Sequence, residues 1–430
     1  MLQTLRRFTW SPLICFGFAY LLMQTGAMQE VAWRTLDWRT NLRAYYQEPA
    51  DQRIVIVLFE DDTEMNLVSW PPDRSYHGAL VELMSLAKPK VITWDVILDA
   101  VREGDGDAAM VAGVAAAMQA GTRIVTGSVT NHDPVETPPG DPGPTRPIRQ
   151  VEGDLGAVYG DHDAIIPFPQ LRATSYHGFV DAPRGPDGII RSVPMVVRVG
   201  DKLYPSLALQ TVLAYYDVTV DAVRVRLGEA VYIDRPGTGE LRVPIDAAGM
   251  YFINYRYDHD DLRPDYATHS YRAMLLKLNS FFVEQEPGGP VPPDLTGKIV
   301  LIGQTVTGKA DAGPTPRGAY SPLVLVHANV INNLLAEDFA RRLPEWMPWG
   351  LMILLGYGSA WLARRRSILL IALVALLILV VYTAVAMVGW IQWSIWFPWV
   401  GPIIGFTVLE FFLIGRRVWH EQKAKQEIKG

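Results

Sequence analysis

GKIVLIGQTVTGKADAGPTP (residues 297–316) decides the fold class, because within it a short apolar run is followed at once by a polar, glycine-rich loop. The run 298–303 is almost continuously apolar, which is typical of parallel strands that are covered on both faces. Runs of the same kind predict three further central strands, at 53–59, 90–98 and 123–129. Helical patterns alternate with these runs, near residues 75–87, 106–120, 206–216 and 327–335. The alternation predicts an α/β domain with a mixed, mainly parallel sheet.

The same stretch contains a phosphate-loop pattern, G-x-x-x-x-G-K, from Gly303 to Lys309. A phosphate loop needs a serine or threonine after the lysine and a helix that begins there. Ala310 follows the lysine instead, and the two prolines in residues 311–318 prevent a helix from starting. We therefore expect Gly303 to end a buried strand and Gly308 to turn a loop, and we predict no nucleotide site.

Two stretches interrupt the α/β alternation. Residues 132–149 hold six prolines, which predicts an exposed loop without regular structure. Residues 176–256 predict antiparallel strands around a Pro-Asp-Gly turn at 186–188.

Uncharged apolar sequence occupies residues 8–28, 346–363 and 367–409. A helix needs about 20 residues to cross a bilayer, so the third segment is long enough to cross twice. Tryptophans at 389–394 mark the expected turn. The sequence thus predicts four transmembrane helices, one N-terminal and three C-terminal, at 8–28, 346–363, 367–388 and 395–415.

Lysines and arginines beside these segments predict the orientation. They cluster at 6–7, 364–366 and 416–429, and all of these positions lie on one side if residues 30–343 lie on the other. We therefore predict a multi-pass protein of the cytoplasmic membrane with both termini, 1–7 and 416–430, in the cytoplasm and a domain at 30–343 outside. The alternative for the first segment is a cleaved signal peptide.

Composition excludes several classes of function. Acidic residues outnumber basic ones outside the membrane, which argues against nucleic acid as a partner. The single cysteine, Cys15, lies in the first apolar segment, so a disulfide framework or cysteine-based metal site is excluded. We predict no cofactor and no metal. Glu410 is the one ionisable residue within the predicted membrane helices, whereas ion and proton paths usually need several.

A candidate site follows from the predicted sheet, because ligands of open α/β sheets bind beyond the carboxyl ends of the strands. Polar side chains cluster in the sequence at and after these ends. The candidate ligand-binding residues are Glu60, Asp61, Arg74, Asp95, Asp99, Gln304, Asp311 and His327. Carboxylates in such a cluster suit a cation or a polyol. The alternative is that they cap helices and pair with arginines such as Arg74.

Several segments, in order along residues 36–335, resemble the type-two CHASE domain. They are LDWRTNLR, WPPDRSYH, ITWDVI, GFVDAPRGPDGIIRSVPM, YPSLALQ, FINYR, GKIVLIGQTV, YSP and HANVINNLL. The resemblance implies an extracytoplasmic sensory domain of the kind that accompanies bacterial cyclases and histidine kinases. Glu60 departs from the family, which usually has an aspartate there; the glutamate side chain is longer by one methylene.

The basic tail at 416–430 resembles the linker that precedes a class III nucleotide cyclase. The resemblance implies a receptor that binds an unknown ligand and signals through the bilayer to a cytoplasmic cyclase or kinase, with a homodimer as the expected state. Residues 1–430 contain no catalytic domain of these classes. Two alternatives remain: an extracytoplasmic enzyme, although no catalytic histidine motif is recognisable, and a stand-alone sensor with a separate kinase partner.

Overall fold

The computed structural model describes residues 10–46, 50–61, 63, 71–102, 104–135, 143–257, 267–306 and 311–429. Contacts divide the chain into two compact units. The first, which we call the sheet unit, is Gln47–Phe339. The second, the helical unit, combines Met1–Tyr46 with Ala340–Gly430.

The helices, numbered along the chain, are α1 Ser11–Met23, α2 Gly26–Arg43, α3 Arg74–Leu86, α4 Gly106–Gln119, α5 Pro169–Thr174, α6 Leu207–Tyr215, α7 Tyr271–Asn279, α8 Leu323–Ala336, α9 Trp346–Leu362, α10 Ile368–Trp393 and α11 Val400–Lys429. The strands are β1 Ile54–Phe59, β2 Val91–Ile97, β3 Arg123–Asn131, β4 Gln150–Glu152, β5 Gly160–Asp161, β6 Asp163–Ile165, β7 Tyr176–Phe179, β8 Ser192–Pro194, β9 Val196–Val199, β10 Lys202–Pro205, β11 Val223–Arg226, β12 Ala230–Arg235, β13 Gly239–Pro244, β14 Met250–Phe252, β15 Ala267–Ser270, β16 Ile299–Gln304, β17 Ala312–Gly313, β18 Ser321–Pro322, β19 Arg341–Arg342 and β20 Ile395–Trp396. The four predicted central strands and their helices are confirmed, although α8 begins four residues before its predicted start.

The central sheet, as far as the described residues show it, runs in the order β15-β1-β16-β2-β3-β6, and β7 also pairs with β3. Its pairings are parallel, except that β6 runs antiparallel to β3. The predicted mixed, mainly parallel sheet is therefore confirmed. The carboxyl ends of β1, β16, β2, β3 and β7 lie at one edge, because all five strands run in the same direction.

Helices cover both faces of this sheet. Ile54, Ile56 and Leu58 of β1 pack in the core formed with α6 and α8. The alternate residues, such as Val55 and Val57, pack in a second core with α3, α4 and α7. Successive side chains of a strand point to opposite faces, so a strand buried on both sides is mostly apolar instead of alternating. This is why the predicted strands are almost continuously apolar.

The prediction for residues 176–256 is correct only in part. The turn is present, since the Gly188 N–H donates to the Gly185 carbonyl at 2.8 Å, and β8 to β14 pair mainly antiparallel. β7, however, runs parallel to β3. The connection between them contains α5, and a crossover of this kind returns the chain in the same direction.

In the helical unit, α10 is long and apolar enough to cross a membrane. α1 and α2 pass the same test only if they count as one span broken by a bend of 86°. Four spans are thus not confirmed by helix length and composition. The predicted helix 8–28 is interrupted because Thr25 has an extended backbone and Gly26, a poor helix former, follows it.

The chain turns at Ser394, which has a left-handed φ of 55° and lies within the predicted turn 389–394, but α10 continues to Trp393, five residues past its predicted end at 388. The Trp390 side chain is buried, and the guanidinium carbon of Arg43 lies 5.7 Å from the centre of its ring. Arg43 also donates to the Ser394 hydroxyl at 2.7 Å. These contacts hold the last turn of the helix.

α11 runs unbroken from its apolar start into the basic tail. Within this tail Glu421 accepts from Arg417 at 3.1 Å, at i,i+4 spacing. Glu410 is buried at 6% exposure.

Candidate functional site

Asp95 lies in β2 where the strand departs from regular pairing. The register with β3 shifts between Thr93 and Ile97, so Asp95 sits in an irregular stretch of the kind that often re-aims side chains near functional sites. Trp94 packs in the core with α3 and α4. The alternation of the strand places Asp95 on the opposite face, where its side chain is 6% exposed.

His327 of α8 faces Asp95. Its side chain is 2% exposed, and its Nε2 lies 3.7 Å from Asp95 Oδ1, which is too far for a hydrogen bond. The Val180 carbonyl lies close enough to favour a protonated ring, but within the part of the chain that the structure describes neither ring nitrogen makes a hydrogen bond of ordinary geometry. Buried polar atoms are normally satisfied. His327 therefore has unused hydrogen-bonding capacity directed at a buried carboxyl group.

Asp311 lies exposed at the rim of the same region. The loop from Asp311 to α8 folds into the short β17–β18 hairpin, and the Asp311 carbonyl accepts from the Leu323 N–H at 2.9 Å. Partial burial raises the pKa of its carboxyl, while His327 and Arg184 lower it. The structure thus brings three of the predicted site residues, Asp95, Asp311 and His327, into one cluster, which we call the crevice.

A third acid of the crevice, Asp181, was not predicted. It lies two residues after the end of β7 and is 7% exposed. It accepts from the Thr130 hydroxyl at 2.5 Å and from the Tyr159 hydroxyl at 3.3 Å, and its charge acts on His327. Ligands of open α/β sheets bind beyond the carboxyl ends of the parallel strands, and Asp181 lies beyond such an end because β7 is parallel to β3. From the sequence, β7 was predicted to be antiparallel, and Asp181 was therefore not among the predicted site residues.

Burial sets the protonation of the crevice. It raises the pKa of Asp95 to about 8, with a smaller contribution from the negative charge of Asp311. Burial also lowers the pKa of His327 to about 4. Near pH 7 the pair is therefore uncharged, with a carboxyl proton available to donate and an imidazole nitrogen available to accept. Such a pair suits a neutral, hydroxyl-bearing ligand.

We expect the free energy of unfolding to fall between pH 6.5 and 8. Asp95 keeps its proton in the folded state up to about pH 8 but releases it near 3.8 when unfolded, so rising pH destabilises the fold over that window. His327 has the opposite effect, but only between about pH 4 and 6.5. The expected loss relative to Asp95→Asn, which lacks the titration, is about 1–2 kcal/mol. Chemical unfolding of both proteins at pH 6.5 and 8 measures it, and identical pH profiles would contradict the assignment.

The other predicted residues lie apart from this cluster or have structural partners. Arg74, at the start of α3, donates to Asp107 at 2.6 Å and to the Ala100 carbonyl at 2.7 Å. Arg74 therefore forms an ion pair with Asp107, in the first turn of α4. This agrees with the alternative interpretation, in which Arg74 pairs with an acidic side chain and does not bind a ligand. Asp99 is exposed beyond β2. Gln304 ends β16 opposite Phe59.

Glu60 and Asp61 follow β1 at the same edge of the sheet, and the Glu60 carbonyl accepts from the Thr63 N–H at 2.9 Å. The lysine end of the phosphate-loop pattern, residues 307–310, lies outside the described residues. A Cβ on Gly303 would lie 2.4 Å from Val324 Cβ, so this glycine allows α8 to approach the strand.

One serine–histidine pair resembles part of a catalytic arrangement. Ser128 of β3 lies 2.9 Å from Nδ1 of His177 on β7. Ser128 is fully buried, and burial lowers the pKa of His177 to about 4, with a further contribution from Arg172. Because the two side chains satisfy each other through this hydrogen bond, we interpret the pair as a link between β3 and β7.

The sequence model of the CHASE2 domain matches residues 13–377, most of the chain. No curated protein and no solved structure matches it. CHASE2 domains are extracytoplasmic and sensory, and they are not catalytic. The protein belongs to the CHASE2 domain family.

Proposed function

We propose that the crevice is the ligand site of a membrane receptor. The observation that carries this proposal is the buried His327 beside Asp95, whose ring nitrogens make no hydrogen bond of ordinary geometry with any described residue. An unsatisfied buried polar group costs about 1–3 kcal/mol, and a ligand that hydrogen-bonds to it recovers that energy. The unliganded protein therefore carries a free-energy cost at His327 that binding of a polar ligand would remove.

The ligand class that fits best is a neutral polyol. Each hydroxyl both donates and accepts, which matches a protonated Asp95 beside a neutral His327. Asp311 at the rim and the buried Asp181 add further acceptors. A metal cation would have to displace the proton of Asp95, so we favour the polyol over the cation.

The signal would pass through four membrane helices to a cytoplasmic effector, a class III adenylate or guanylate cyclase in our proposal. The uncharged segments and the basic residues at 364–366 and 416–429 support the topology. α11 offers a continuous helix from the apolar segment into the basic tail. Ligand binding shifts the receptor between two helix arrangements only if it favours one of them. A separate kinase partner is the alternative output.

The test is a fusion of the whole chain, after Gly430, to a cyclase catalytic domain in cells that lack their own cyclase. Cyclic nucleotide is measured against added glycerol, sorbitol or MgCl2. We expect a polyol response that Asp95→Leu, which removes both the donor and the acceptor, weakens at least tenfold in apparent affinity. Asp99→Leu is the matched control, because Asp99 follows the same strand but is exposed. A response to MgCl2 alone would support the cation instead, and equal polyol responses in both variants would refute this site.

Topology is tested separately in a Cys15→Ser background. Asp99→Cys places a thiol on an exposed position of the sheet unit, and Lys425→Cys places one on the exposed tail. In intact cells, a membrane-impermeant maleimide should label the first variant and leave the second unlabelled until the membrane is opened. Equal labelling of both in intact cells would contradict the proposed orientation.

A further inference from the structure

Two histidines and an aspartate meet on the surface of the sheet unit, away from the buried crevice pair. His132 Nδ1 lies 3.1 Å from Asp161 Oδ1. His162 completes the group, and one ligand atom from each residue lies within 4.8 Å of the other two. Both histidines are exposed and Asp161 is half-buried, so the group is open to ions from solvent.

Strand pairing, a side-chain hydrogen bond and a close backbone contact fix the backbone that carries these residues. β3 and β6 pair antiparallel with Asn131 opposite Asp163, which places His132 beside the β5–β6 segment. The Asp163 carboxylate accepts from the Val135 N–H at 2.8 Å and holds the loop after β3. At Gly160, a Cβ would lie 1.9 Å from the Arg198 carbonyl, so β5 lies tightly against β9.

We propose that His132, Asp161 and His162 form a binding site for a divalent transition-metal ion such as zinc. Imidazole nitrogen and carboxylate oxygen are ordinary zinc ligands, and three protein ligands with a water in the fourth position form an open tetrahedral site. Ligands of a tetrahedral zinc lie about 3.4 Å apart, which follows from bonds of about 2.0–2.1 Å. The ligand atoms lie within 4.8 Å of one another, so the two exposed histidine side chains need to close by up to about 1.4 Å.

The chemistry of the ligands also predicts selectivity. Imidazole binds zinc, copper and nickel, whereas magnesium and calcium prefer sites built from oxygen. With one oxygen ligand and two nitrogens, the site should bind Zn²⁺ and reject Mg²⁺. The proposal does not rest on the receptor function, because the ligands are separate from Asp95 and His327.

Isothermal titration of the whole purified chain with ZnCl2 tests the proposal. The protein is prepared in detergent without a polyhistidine tag and freed of metal with EDTA. We expect one zinc per chain at this site, and at least a tenfold loss of affinity in His162→Ala and in Asp161→Asn. His420→Ala is the control, since His420 is an exposed histidine on α11, and it should bind zinc like the wild type.

The replaced residues are at the surface, so their variants should unfold at the wild-type temperature without metal. Zinc should raise that temperature in the wild type and in His420→Ala only, since an ion that binds the folded state stabilises it. Zinc affinity unchanged in a His132→Ala, His162→Ala double variant would overturn the proposal, as would Mg²⁺ binding of equal strength.

Discussion

Replacing Asn329 with leucine is expected to lower the free energy of unfolding by about 3–5 kcal/mol, because several buried backbone groups lose their partner together. Asn329 of α8 is fully buried. Its side-chain oxygen accepts from the N–H groups of Arg256 and Tyr257 at 3.0 and 3.1 Å. Its amide donates to the carbonyls of Tyr257 and Leu325 at 3.0 and 2.8 Å. Leucine keeps the volume of the side chain but satisfies none of these groups.

Chemical unfolding of the full chain, followed by tryptophan fluorescence, measures this loss. Asn332→Leu is the matched control on the same helix, because among the described residues Asn332 accepts one backbone hydrogen bond, from the Asp51 N–H at 3.0 Å. We expect the control to lose about 1–3 kcal/mol, less than Asn329→Leu. Equal stability of the two variants would show that α8 is not anchored through Asn329.

Gly78→Val is expected to destabilise the sheet unit by about 3 kcal/mol or more, because the side chain would enter the backbone of a neighbouring helix. A Cβ at Gly78 of α3 would lie 2.4 Å from the Ala109 carbonyl oxygen of α4. Across the same contact, a Cβ at Gly113 would lie 2.3 Å from the Gly78 carbonyl oxygen. No flexible side chain is available to move, so the helices must separate and their core must open.

The control for this change is Ala79→Val, which adds a branched side chain at the next position of α3, where the residue is exposed. Its expected cost is below about 0.7 kcal/mol, the range of ordinary helix propensities. Thermal unfolding of both variants separates the steric clash at Gly78 from the helix-propensity cost of introducing valine. A Gly78→Val protein as stable as Ala79→Val would mean that α3 and α4 do not cross as closely as these distances require.

Much of the sheet unit could be predicted from short-range pattern. The four central strands are mostly apolar because helices cover both faces, and this property is visible in a short window of sequence. The strand direction of β7 could not be predicted in this way, since apolar alternation is the same for parallel and antiparallel strands. The end of α10 at Ser394 also escaped prediction, because distant Arg43 helps to hold its last turn.

The candidate site was predicted as a set of residue types at strand ends, without knowledge of which would meet. Asp95, Asp311 and His327 are in the set and do meet, whereas Arg74 belongs to an ion pair with Asp107. The sequence also predicted no metal site. His132 and Asp161 are 29 residues apart, so their proximity depends on strand pairing and leaves no local motif to recognise.

The sequence by itself determined the α/β class, the positions of the central strands and helices, and the membership of a sensory domain family. These depend on hydrophobic periodicity and on ordered local segments, which act over a few residues. Only the tertiary structure decided the protonation of the crevice and the grouping of its acids. A pKa depends on burial and on charges from other elements, and these exist only when β2, α8 and the loop at Asp311 are packed together.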